Sequence, residues 1–165
     1  MCDMRKVEFV PFRLTETAEI FSIRIDQKEK TELQEFLIAF KNIKQYNLRQ
    51  DYEQILKTIA GISDHGVKES FFRHEGKMND RVCAIPLFSS GRKSNGRLRL
   101  YCIRISDELL IFGGGGLKTT RTYQENEQLT EYVHTLQKID KILSRMESEG
   151  RDIHREISNL IINID

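Results

Sequence analysis

Apolar and polar residues change their period several times along the chain, and each change marks an element. Between Arg97 and Ile105, Leu98, Leu100, Cys102, Ile103 and Ile105 are interleaved with Arg97, Arg99, Tyr101 and Arg104, with one slip at Cys102-Ile103. A period of two predicts a strand with one face toward a core; the other face here is basic and is expected to be solvated. Ser106-Asp107-Glu108 supplies a turn, and Leu109-Leu110-Ile111-Phe112 is a continuous apolar run, the pattern of a strand covered on both sides. Together they predict an antiparallel hairpin. Gly113 to Gly116 is expected to end the second strand, because residues without a Cβ lose too much backbone entropy in a ladder, and to admit close approach by another group.

The same reading extends to the rest of the chain. Lys6 to Arg13 and Glu19 to Ile25 carry β-formers and predict a first hairpin, with Pro11 putting its first strand at an edge. Asp26 is a candidate helix cap with Glu29 as its reciprocal partner, and Leu33, Phe36, Leu37, Phe40 and Ile43 follow at helical spacing. A second helix is predicted over Asp51 to Ile59, with Gly61 just past its end. Glu69 to His74 and Arg81 to Phe88 read as strands, and Ser89 to Gly96 as a polar loop. Leu129, Tyr132, Val133, Leu136, Ile139 and Leu143 mark a long helix ending near Gly150; Ile153, Ile157, Leu160 and Ile161 mark a last short one. Helices and strands are grouped rather than alternating, which predicts an α+β class with an antiparallel or mixed sheet of about four to six strands. Two N-terminal helices are expected to pack on that sheet. Residues 1–125 form the main domain in this reading, and 126–165 a C-terminal helical extension of it.

Composition narrows the setting. At 165 residues one domain is expected, large enough to bury a core without metal or disulfide support. Three cysteines, Cys2, Cys83 and Cys102, lack CxxC spacing and suit a reducing compartment. No run of signal-peptide or membrane-span length is present in the sequence, so a cytoplasmic protein without a membrane partner is expected. The formal charge is +1, but it is polarised. Arg92, Lys93, Arg97, Arg99, Arg104, Lys118 and Arg121 against Asp107 and Glu108 give +5 over residues 89–123, whereas residues 126–165 carry −3. A basic stretch of this kind suits a polyanion.

Phe72-Arg73, the segment Arg81-Val82-Cys83-Ala84-Ile85-Pro86-Leu87, then Arg97-Leu98-Arg99-Leu100-Tyr101 and Gly116-Leu117-Lys118-Thr119-Thr120-Arg121 follow two predicted helices. In the order of these elements, from about Lys28 to Tyr123, the chain resembles the RelE/ParE superfamily of toxins from type II toxin–antitoxin modules, in particular its HigB-like, phage-derived branch. The resemblance implies a RelE-like fold. It also implies an endoribonuclease that cuts mRNA, commonly on the ribosome, and is silenced by a cognate antitoxin protein. Two departures stand out. Arg81 to Phe88 has no lysine where several members place them, with Arg92 or Lys93 as substitutes, and the acidic tail after Asn126 is longer than in compact members.

The residues themselves fit such chemistry. RNA cleavage by the neighbouring 2′-OH needs no metal or cofactor; the site must hold the phosphate, offset transition-state charge and move two protons. Arg99, Lys118 and Arg121 suit the electrostatic task, the arginines through a planar fork matching phosphate oxygens. Tyr123 is the candidate for base stacking or proton relay, although an unperturbed phenol with a pKa of about 10 is a poor base. Arg73, His74, Arg92, Lys93, Arg97 and Arg104 are the candidate RNA contacts. Plainer readings compete: a solvated strand face for the arginines, a structural His74, and a Tyr123 ring packed on the long helix. A Walker-type phosphate loop is excluded, because Leu117 rather than glycine precedes Lys118.

Two other function classes remain open: a ParE-like binder of a protein target, and an interaction module using Gln128 to Met146. Leu129, Leu136 and Leu143 repeat at heptad spacing, which an ordinary core helix also satisfies. The expectation is a helix from Gln128 packed across the sheet through Leu129, Val133, Leu136 and Ile139, with Lys118 and Arg121 at the rim of an open groove.

Overall fold

One seven-stranded sheet separates two hydrophobic cores. The structure is a computed structural model; it describes residues 4–76, 79–87, 97–118 and 127–165. These form strands β1 (Arg5–Leu14) and β2 (Glu19–Ile25), then helices α1 (Glu32–Phe40) and α2 (Tyr46–His65). Strands β3 (Arg73–His74), β4 (Val82–Ala84), β5 (Arg97–Arg104) and β6 (Leu109–Lys118) follow. Helices α3 (Glu127–Ser148) and α4 (Ile153–Glu156) and strand β7 (Ile161–Ile164) complete the order. The sheet runs β3-β4-β5-β6-β2-β1-β7, antiparallel throughout except for the parallel pair β2 and β6. The class is α+β, as expected. The expected arrangement with two N-terminal helices is corrected: a β-hairpin comes first, and the sheet has more strands than predicted.

Period two along the strands assigns each side chain to a core. Leu98, Leu100, Cys102, Leu110 and Phe112 pack beneath α1 and α2, whereas Tyr101, Ile103, Leu109 and Ile111 pack beneath α3. Both faces of β5 are therefore covered, and its basic face is not the wet surface predicted: Tyr101 is buried and Arg97 and Arg99 are partly buried. At the seam, Ser22 Oγ donates to the Phe112 carbonyl at 3.1 Å and accepts from Leu33 N at 3.0 Å, tying β2, β6 and α1 together.

The glycine run does not end β6. It sits inside the ladder as a bulge, with Gly113 and Gly114 opposing Tyr101. A Cβ at Gly113 would stand 2.8 Å from Leu136, one at Gly114 2.5 Å from Tyr132, and one at Gly115 2.0 Å from the Arg99 carbonyl oxygen. The group that approaches is α3, and its descent onto the bare backbone offsets the entropy the glycines lose. α3 buries Leu129, Leu136, Ile139 and Leu143 against the sheet, with Val133 packed at its margin.

Other boundaries shift for local reasons. Asp26 is not the cap of α1; it takes φ 52° and its Oδ1 accepts from Lys6 N at 2.9 Å. The cap is Thr31, whose Oγ1 accepts from Gln34 N while Gln34 Oε1 accepts from Thr31 N. α2 ends at Gly66, with φ 99°, and Gly61 lies inside it, under the Phe71 ring. Glu69 to His74 splits into a 3-10 turn, Glu69–Phe71, and the two residues of β3. The last predicted helix is only α4 and one 3-10 turn; Ile162 and Ile164 then alternate into the core as β7 pairs with β1.

Candidate nucleic-acid interface

The cross-strand register gathers part of the basic set at one end of the sheet. Arg73 pairs with Ala84, and Ala84 with Tyr101, so Arg73, Tyr101 and Arg99 share the α3 face. Arg97 is the ladder partner of Lys118, and Arg99 that of Gly116, so no side chain stands directly across from Arg99.

Each cation has a different degree of commitment. The Arg99 guanidinium donates Nη1 to the Leu98 carbonyl at 3.1 Å, and among the described residues no carboxylate forms an ion pair with it. Burial pulls its pKa down, and the like charges of Arg73 and Arg97 pull it further. An arginine nonetheless stays charged, so the environment favours an incoming anion. Arg73 meets Glu75 at 3.4 Å and is half exposed. Arg97 is held at 3.0 Å by Asp51, a buried α2 carboxylate whose other oxygen accepts from Leu98 N at 3.1 Å. Lys118 is exposed. Tyr101 is no proton carrier near neutrality: burial first, then Glu75, push its phenol up to about 12 despite Arg99 and Arg73.

Two predicted contacts lie elsewhere. His74 Nε2 is 2.9 Å from the Asp80 carbonyl oxygen and 3.4 Å from its carboxylate, and Asp80 also accepts from Val82 N and Gln137 Nε2. That histidine ties the chain between β3 and β4, and its ladder partner Cys83 faces the other core. Arg104 is at the far end of β5, seven residues or ~23 Å from Arg97. There its Nε donates to the Val67 carbonyl at 2.9 Å and its fork pairs with Asp107, beside a cavity of about 490 Å³ shared with His65, Lys68 and Glu69. Arg92, Lys93, Arg121 and Tyr123 lie outside the described residues.

Sequence reasoning missed Glu75 and the buried Asp51. Asp51 was legible only as the start of a helix, because its role depends on Leu98 and Arg97, far along the chain. Among the described residues no group of three or more His, Cys, Asp or Glu side chains is placed to hold a metal ion, and no helix is long and apolar enough to cross a membrane. What the cluster can do chemically is hold phosphate oxygens between Arg99, Arg73 and Lys118 at the rim of the sheet. No protein-family model matches the chain, and no curated protein matches it.

Proposed function

We propose that the chain is a RelE/ParE-type toxin of the HigB-like branch, a metal-independent endoribonuclease acting on translated mRNA, with the Arg73–Arg99–Lys118 end of the sheet as its phosphate site. The observation that carries the reading is Arg99: a partly buried guanidinium, without an ion-pair partner among the described residues, beside another arginine and a residue with no side chain. From α1 onward, the order of two helices and then strands ending in a basic hairpin supports the resemblance; β1 and β2 ahead of it, and α3, α4 and β7 behind, are additions to that order. The arginines would offset charge on the pentacoordinate phosphorane. Glu75, 3.4 Å from Arg73, is the described side chain best suited to take the 2′-OH proton. A cognate antitoxin would cover this end with an acidic or amphipathic segment.

A second reading, a non-catalytic RelE/ParE-fold module that binds a protein partner, draws on Tyr101 and His74. The one has a phenol at about 12, and the other is engaged by Asp80. Induced expression in a bacterial host separates the two. Growth arrest with transcript cleavage, relieved by the double change Arg73→Ala with Arg99→Ala at equal protein level, is the expected result. Arrest without cleavage favours the binding module, and arrest unaffected by the double change removes these arginines from the site.

A further inference from the structure

On the other side of α3's first turns, away from the basic end, lies a cavity of about 230 Å³ between the ends of β1 and β2, α1 and α3. Glu32 lines it at 8% exposure, and among the described residues no donor reaches its carboxylate within hydrogen-bond or ion-pair distance. Gly114 makes the room: a Cβ there would stand 2.9 Å from Glu32 Oε2, as well as against Tyr132. Ile23 and Ile25 supply an apolar wall. Arg5 faces the same space with its donors only loosely used, Nη1 to Thr135 Oγ1 at 3.5 Å and Nη2 to the Asp165 carbonyl at 3.4 Å. Arg5 and Lys28 are close enough to act on the Glu32 charge, yet neither pairs with it.

A largely buried carboxylate that no donor among the described residues engages is unfavourable, and the space beside it is where an outside donor can be supplied. The cavity is smaller than the ~300 Å³ at which drug-sized pockets begin. It offers an acid at one end, a guanidinium at another and aliphatic surface between. We propose that it binds a small zwitterion bearing a primary ammonium and a carboxylate, of the free amino-acid kind, with the ammonium on Glu32 and the carboxylate on Arg5. A bare anion would be opposed by Asp26, Glu32 and Glu131, and a bare amine would leave Arg5 unanswered. This inference is independent of the RNA reading, since it shares no residue with the arginine cluster.

The test is amide NMR of the full chain titrated separately with each of the common free L-amino acids. At least one is expected to shift the Gly114, Ile23 and Ile25 amides saturably. Glu32→Gln and Arg5→Gln should each weaken it by at least about tenfold, the loss of one charge-assisted contact. The ligand's N-acetyl and amide derivatives should lose affinity for the native chain to a similar degree, a check that needs no substitution. Absence of saturable shifts with every amino acid overturns the proposal. So does equal binding by the derivatives, or by a simple alkylamine.

Discussion

Arg81 and Arg99 are both partly buried arginines beside the same sheet, and they have opposite surroundings. Arg81 is engaged along one side of its fork: its Nε reaches Asp140 Oδ1 at 2.8 Å, its Nη2 reaches Ser144 at 3.0 Å and Glu147 at 2.9 Å, and its backbone N–H also goes to Asp140. Burial opposes its charge, but Glu147 and Asp140 outweigh burial and raise its pKa. At Arg99 burial again comes first, and here Arg73 and Arg97 outweigh Tyr101 and Glu75, so the pKa falls. The contrast separates a cation that holds the fold together from one held ready for something else. Burial alone does not distinguish them; the sign of the neighbours does.

The largest effect is expected from making Arg81 resemble Arg99. Asp140→Ala leaves a guanidinium at the α3–β4 junction short of its main partner, and removing one member of a buried pair costs about 3–5 kcal/mol. Urea denaturation should show that loss. Gly114→Ala should follow, at about 1–3 kcal/mol, because the added methyl meets Tyr132 at 2.5 Å.

The converse change makes Arg99 resemble Arg81. Gly116→Asp introduces a carboxylate on the ladder position opposite Arg99, where a Cβ meets nothing nearer than Leu129 at 3.4 Å. Stability should change by less than about 1 kcal/mol, while binding to single-stranded RNA falls. Arg99→Ala should leave stability within about 0.5 kcal/mol and lower the salt slope of RNA binding by about 0.7. An unchanged slope in filter binding across a salt series would make Arg99 a mere surface charge.

Glu32 supplies a third, oppositely charged case, with the smallest effect. Burial first, and then Glu35, hold its carboxyl above the ordinary 4.5, against Lys28 and Arg5. The folded state therefore binds this proton more tightly than the unfolded chain. The contribution is fully present below about pH 4.5 and is lost as pH rises through the folded value. Glu32→Gln has no such loss, so its melting temperature should gain on the native chain from about pH 4 to about pH 7. A difference that does not vary with pH would contradict the environment described.

What the sequence revealed and what it concealed follow the same division between local and distant partners. The β5–β6 hairpin was legible because alternation, turn and apolar run all lie within one stretch. The cap of α1 was misplaced because Asp26 and Thr31 each have a suitable partner three residues on, Glu29 and Gln34, and only the distant contact that holds Asp26 to Lys6 N separates them. The glycine run was read as an ending because the side chains that require it, Tyr132 and Leu136, belong to another element. Ile161 was read into the last helix because its spacing after Ile157 suits both periods, and the pairing of β7 with β1 spans nearly the whole chain. Arg99 was singled out from its type and position, but its lack of an ion-pair partner among the described residues could only be seen in three dimensions.

The parallel seam between β2 and β6 has a kinetic side. Apart from β7, the sheet consists of local antiparallel units zipped along Glu19 to Ser22 and Leu109 to Phe112, and the Ser22–Phe112 bond joins residues 90 positions apart. Hairpins close within microseconds, whereas such a distant pairing must first overcome the entropy of a long loop. The seam is thus expected to form late on the folding path, with both half-sheets presenting raw strand edges until it does. Ser22→Ala should then accelerate unfolding far more than it slows refolding, and the refolding chain should be most prone to aggregate in the interval before β2 meets β6.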